Sequence, residues 1–201
     1  MAYSETYIAN LALAHIGEWR VEDINEATTK GDILSEHYEH ARNLVLGAHG
    51  WRRLMKQAQL QRRAEDPVGR FAYAYALPAN CARIETVADT SEFEPPLDGE
   101  YWSPIGPDIL SGTDYLFLEY VANDWSVAVY PAYVVEAMGL KLAALVAPHF
   151  HGAAHTAAEL DSEYEKVKLP RARTLDGSQE PSRPLVRSRW RSARFSGRGY
   201  R

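Results

Sequence analysis

The sequence predicts an α+β protein, mainly α: a four-helix bundle with a small β insertion between the second and third helices and an extended C-terminal arm. Three observations carry this. Apolar residues recur at three- and four-residue spacing over residues 5–49 and again over 131–167, the period of helices with one buried face. Between these stretches, prolines at 67, 78, 95, 96, 104 and 107 and short aromatic runs replace that period with alternation, the pattern of strands. Past residue 170 aliphatic residues thin out and arginine takes over. The expected division is 1–51 with 125–170 for the bundle, 52–124 for the β insertion and 171–201 for the arm.

The first helix is expected after Ser4, whose hydroxyl can accept from an orphan amide. Tyr7, Ile8, Leu11, Ala12 and Ile16 make its stripe, and Gly17 stops it. A second helix runs from about Thr29 to His49, with Ile33, Leu34, Tyr38, Ala41, Leu44, Val45 and Ala48 on one side; Gly50 ends it and Trp51 anchors the core. Two strands stand out, at 71–77 and 115–121. In the second, Tyr115, Phe117 and Val121 share one face and Leu116, Leu118 and Tyr120 the other, so it should be central to its sheet. The stretch from Asp89 to Gly112 is polar and proline-rich, a long excursion or hairpin. Within it, residues 91–112 carry Phe93, Tyr101 and Trp102, too apolar for an idle loop, and are expected to be an exposed surface for a neighbouring subunit or tail protein, whose deletion spares folding but blocks tail joining. Helical spacing returns after Pro131 with Val134, Val135, Met138, Leu142, Leu145 and Val146, and stops at Pro148. A last helix opens on the capping box Thr156-Ala-Ala-Glu159, carries Leu160, Tyr164 and Val167, and should be limited by Pro170.

With 46% apolar and 24% charged residues, most of these 201 residues can bury a core. A single cysteine, Cys81, excludes an intrachain disulfide. No run approaches the roughly 18 uncharged apolar residues of a membrane span, and the opening MAYSETYIAN lacks the basic start of a signal peptide; a soluble chain made in the cytoplasm, with no membrane partner, is expected. The net charge of −5 conceals a split. Residues 171–201 hold nine arginines against Asp176 and Glu180, which leaves the arm at +7 and residues 1–170 at −12. Asymmetry of this kind points to a partner for the basic segment.

Little in the chain suggests catalysis. His149, His151 and His155 fall in PHFHGAAH, but no Cys or further His completes a set at zinc-like spacing, so they read as loop histidines and no metal is expected. His37 and His40, three apart on the second helix, suit a hydrogen bond between helices or subunits. Glu22, Asp23, Glu36 and Glu39 read as solvated faces. Cys81, in LPANCARI, has no base beside it, and there is no nucleophile elbow, Walker loop or glycine fingerprint. The expectation is therefore a protein without catalytic residues or cofactor. The arm, RSRWRSARFSGRGYR, interleaves arginine with Trp190, Phe195 and Tyr200. Guanidinium groups and aromatic rings suit phosphates and bases, and equally a protein groove lined with carboxylates. A tail that only confers solubility is the third reading.

Several segments coincide with one family. NLALAHIGEWRVEDINE, YEHARNLVLGAHGWRRLMKQAQL, FAYAYALPANCARIETV and PAYVVEAMGLKLAALVAP, followed by a capped acidic helix, resemble the tail tubular protein A family of tailed bacteriophages, the head-to-tail connector or adaptor proteins. The resemblance covers about residues 5–170 and lies in the order and spacing of these segments, none of which is a catalytic motif. It implies a virion structural protein of the neck and tail, assembled in the host cytoplasm: a homo-oligomeric ring, typically of twelve copies, joining the portal protein to the next tail component, a nozzle or tail-completion protein. DNA would pass through its channel without specific binding. An acidic body fits that role, because a negative lumen repels the DNA backbone. On this reading Arg183, Arg187, Arg189, Trp190, Arg191, Arg194, Phe195, Arg198 and Tyr200 bind the portal, and Phe93, Tyr101 and Trp102 face the tail or a neighbouring subunit. The alternative is a DNA-binding accessory protein that applies the arginine-rich arm to nucleic acid directly.

Overall fold

A computed structural model describes residues 3–94, 96–150 and 155–179. Two helices come first, α1 (Glu5–Ile16) and α2 (Thr29–Gly47). Six strands follow: β1 (Met55–Gln59), β2 (Tyr73–Ala76), β3 (Cys81–Ala88), β4 (Trp102–Ile105), β5 (Asp108–Ser111) and β6 (Phe117–Ala122). The chain then returns to helix in α3 (Ala132–Val146), α4 (Ala157–Glu163) and α5 (Leu169–Gly177), the last two joined by a π-helical turn at Tyr164–Lys168.

Local chemistry sets the helix ends. Ser4 accepts from the Tyr7 amide at 3.1 Å, and Gly17, at φ 79°, closes α1 in the left-handed conformation that glycine adopts without strain. Thr28 caps α2 through the Gly31 amide at 3.2 Å. Thr156 and Glu159 form the reciprocal capping box of α4, at 3.3 and 2.9 Å.

The strands form two three-stranded antiparallel sheets, ordered β1-β6-β3 and β2-β5-β4. This corrects the expected four-helix bundle with one small β insertion. The insertion is two sheets, and the first is a structural layer of the molecule. Strand β6 is central, as its two apolar faces require, and those faces serve different cores. Val121 enters the helical core with Leu13, Leu34, Trp51 and Met138. Leu118, Tyr120 and Ala122, facing the other way, build a second core with Leu60, Tyr75, Val87 and Ile109. A small insertion could not supply a sheet buried on both sides, and β3 touches α2 directly, so helices and strands are joined rather than separate.

Two further expectations change. Residues 91–112 do contain a hairpin, β4–β5, but its Ile109 is fully buried in the second core. Deleting the segment would remove two of three strands of the second sheet, so it is no dispensable loop. Pro170 also fails to end the last helix. In the π turn the Leu169 amide reaches back to the Tyr164 carbonyl, and Pro170 falls in the first turn of α5, where its missing N–H costs nothing. Residues 171–177, assigned by sequence to the extended arm, are consequently helix.

Within the helical layer, α3 packs against α1 and α2. Gly139 of α3 leaves room for Leu11 of α1: a Cβ there would lie 2.6 Å from Leu11 Cδ2. Among the described residues no helix is long and apolar enough to cross a membrane.

Candidate functional site: the corner that holds the C-terminal helix

The described chain ends on α5, and the corner that receives this helix contains the one buried carboxylate among the described residues, Asp176, 1% exposed. A buried carboxylate needs donors on both oxygens. Tyr133 of α3 donates its hydroxyl to Oδ1 at 2.6 Å. The Arg52 amide and His49 Nε2 lie 3.3 Å from Oδ2, just past the end of α2. Burial, reinforced by the neighbouring Asp176 carboxylate, pushes the Tyr133 hydroxyl well above its usual range, so it stays protonated and remains a donor. Trp51, fully buried, packs edge-on to His49 at 4.8 Å between ring centroids and lies 6.0 Å from the Tyr133 ring. One helical turn before Asp176, Arg173 donates to the Ala48 carbonyl at 2.9 Å, satisfying an orphan acceptor at the end of α2.

Chemically, this is a holding site. The carboxylate is committed to three groups from two elements, and among the described residues no hydroxyl or thiol nucleophile bonds to His49. The sequence reading missed Asp176 because it was counted only as a charge in a basic segment. Its partners come from 43 and 124 residues away in sequence, beyond any local motif.

The residues singled out by sequence fall as follows. Arg183, Arg187, Arg189, Trp190, Arg191, Arg194, Phe195, Arg198 and Tyr200 lie outside the described residues. Of the hairpin aromatics, Tyr101 is 57% exposed. Trp102 donates its indole N–H to the Leu97 carbonyl at 3.1 Å and packs against the second core, whereas Phe93, at φ 58°, sets its ring edge-on to Phe117. The three therefore do not make one apolar face. Trp19 was given no role by sequence, yet it stands 85% exposed on the α1–α2 loop. That loop is pinned: the Asn10 side chain both accepts from the Val21 amide and donates to its carbonyl, at 2.8 and 3.0 Å.

His37 makes the interhelical contact expected of it: its Nε2 lies 3.1 Å from Nε2 of His149, which follows α3, and His40 is not part of that contact. His155 lies 4.0 Å from Glu159, and His151 is outside the described residues. Burial raises the Cys81 thiol above its usual range. A cleft of about 700 Å³ over the second sheet is lined by Arg63 and Asp108, which pair at 2.8 Å, and by Glu65 and Asp66, the latter paired with Arg62 at 3.0 Å.

No protein-family model matches the chain, and no curated protein matches it closely enough to count as a relative.

Proposed function

We propose that this protein is a virion structural adaptor: a ring, of twelve copies as in the family it resembles, that joins the portal to the tail and leaves a channel for DNA. The observation that carries the reading is the combination of a firmly seated last helix with the segment beyond it. After Gln179 come 22 residues with seven arginines and with Trp190, Phe195 and Tyr200. At about 3.3 Å per residue, such a segment reaches roughly 70 Å, far enough to cross onto another subunit. Fixing a segment on a partner costs on the order of 1–2 kcal/mol per residue newly ordered, so a partner that holds one of this length must offer anchors along it. Aromatic side chains about five residues apart, with guanidinium groups between them, suit a groove lined with carboxylates on the portal. The −12 of residues 1–170 supports a lumen through which DNA slides.

The test is truncation after Gln179, with native mass measured alone and with isolated portal rings. Full-length protein should bind portal as a multi-copy ring, and the truncated protein should stay folded and fail to bind. Normal portal binding with lost affinity for DNA would instead support the accessory DNA-binding role.

A further inference from the structure

His37 of α2 and His149 at the end of α3 come from the two histidine groups of the sequence, 37/40 and 149/151/155, and meet across the helical layer. Their Nε2 atoms are 3.1 Å apart, the ring centroids 5.0 Å apart and the planes inclined by 38°. His149 is exposed and His37 half-buried, so the pair lies at the surface within reach of ligands from solvent.

We propose that His37 and His149 form a two-imidazole site for a late first-row divalent cation, with Cu2+ held more tightly than Ni2+ or Zn2+. The spacing carries the proposal. A metal bound about 2.0–2.1 Å from each nitrogen places the two nitrogens about 2.9 Å apart in a square plane and about 3.3 Å apart in a tetrahedron. The observed separation lies between these limits. An imidazole nitrogen sits a little over 1 Å from its ring centre, so rings aimed at a shared metal with this separation have centroids about 4.9 Å apart. Two rings meeting head-on in a straight N–H···N hydrogen bond would be about 5.4 Å apart. The observed 5.0 Å matches the shared point better.

Two ligands leave an open coordination sphere. Among the described residues no third His, Cys, Asp or Glu completes a set, so water fills the remaining positions and the site is exchangeable. The order of affinity follows from imidazole donors in an unconstrained sphere, where Cu2+ leads the first-row series. A bound ion would staple the middle of α2 to the segment following α3, a link that the bare pair makes with a single shared proton.

The experiment is a CuCl2 titration of the full-length protein, followed by electron paramagnetic resonance and by thermal unfolding. One equivalent of Cu2+ showing hyperfine coupling to two imidazole nitrogens is expected, with a rise in Tm. His37→Gln and His149→Gln should each abolish the two-nitrogen signal and the rise in Tm, while His40→Gln changes neither; circular dichroism checks that these surface variants fold. Retention of the signal in both His37→Gln and His149→Gln, or its loss only on His151→Gln or His155→Gln, would overturn the site. So would a wild-type protein that binds no Cu2+ beyond the level of the double variant.

Discussion

Tyr38 shows how a single atom can be misplaced in an otherwise well-packed helix. It is 3% exposed in the helical core, as the α2 stripe requires, but its hydroxyl has no hydrogen-bond partner among the described residues. A buried hydroxyl without a partner costs about 1–3 kcal/mol in lost hydration. Tyr38→Phe keeps the ring and removes that cost, so denaturant unfolding should show equal or greater stability, by up to about 1 kcal/mol. A clear loss of stability instead would mean that the hydroxyl is hydrogen-bonded after all. Gly31 is the opposite case. A Cβ there would lie 2.2 Å from the backbone carbonyl oxygen of Glu26, which no side-chain rotation relieves. Gly31→Ala should therefore destabilise by about 2 kcal/mol or more, although alanine is the better helix former. Neither residue announces itself in the sequence: Tyr38 reads as an ordinary stripe position, and Gly31 as a weak spot in a helix. Each is decided by a neighbour the linear pattern does not name.

At the scale of elements, the helices were legible and their joints were not. Ser4, Gly17 and the Thr156–Glu159 box mark ends that local hydrogen bonds alone determine, which is why they could be read directly. The run through Pro170 could not, because a π turn shifts the hydrogen-bond register just where the proline lacks a donor. Strands β4 and β5 are four residues each and too short for alternation to stand out. The seat of α5 rests on Asp176, and Asp176→Ala would leave the Tyr133 hydroxyl and the Arg52 amide without their acceptor. An overall loss of about 2–4 kcal/mol is expected, with hydrogen exchange rising first in α5. Uniform exchange across all helices would show that α5 is not a separable unit. On α1, burial holds the His15 imidazole below its usual pKa; Glu163 and Glu136 oppose this, and Lys168 and His155 add to it. With the folded pKa below the unfolded value of about 6.5, the unfolded state takes up the proton more readily. The stability from neutral His15 is complete above that value and is lost as pH falls through the folded pKa. A His15→Gln variant should accordingly show a shallower loss of Tm than the parent as pH falls below about 6.5.

For the molecule as a whole, the decisive misreading concerned what an insertion is. The apolar faces of residues 115–121 correctly indicated a central strand, yet their two-sidedness implied something larger: a sheet with two cores needs a layer on each face. Helices cover one face of β1-β6-β3 and the second sheet covers the other, so the strand region is built into the body. Val121→Ala and Leu118→Ala, on opposite faces of β6, should each cost about 2–4 kcal/mol. One cooperative transition should be seen for either variant, because both cores share the same sheet. Separate transitions by far-ultraviolet circular dichroism and tryptophan fluorescence would indicate that the sheets unfold apart from the helices. The proposed partner surface must likewise be probed by exposed side chains such as Tyr101 and Trp19 instead of deletion. Tyr101→Ala and Trp19→Ala should leave Tm unchanged, and, on the proposed adaptor role, a loss of ring formation or tail joining would assign each to an interface.

Seen as a mechanical part, the Asp176 corner is an anchorage. A pull on the chain beyond Gln179 does not begin by unwinding α5. It is taken up by the Arg173 bond to Ala48 and by Asp176 against Tyr133, His49 and Arg52, all placed near the load-bearing end of that helix. Tension passes from there into Trp51 and the start of β1, and so into both cores. In a single-molecule pulling experiment from the C-terminus, the wild-type helix should hold to a higher force than Asp176→Ala and then release with the body in one event, whereas the variant should peel away early and leave the rest intact.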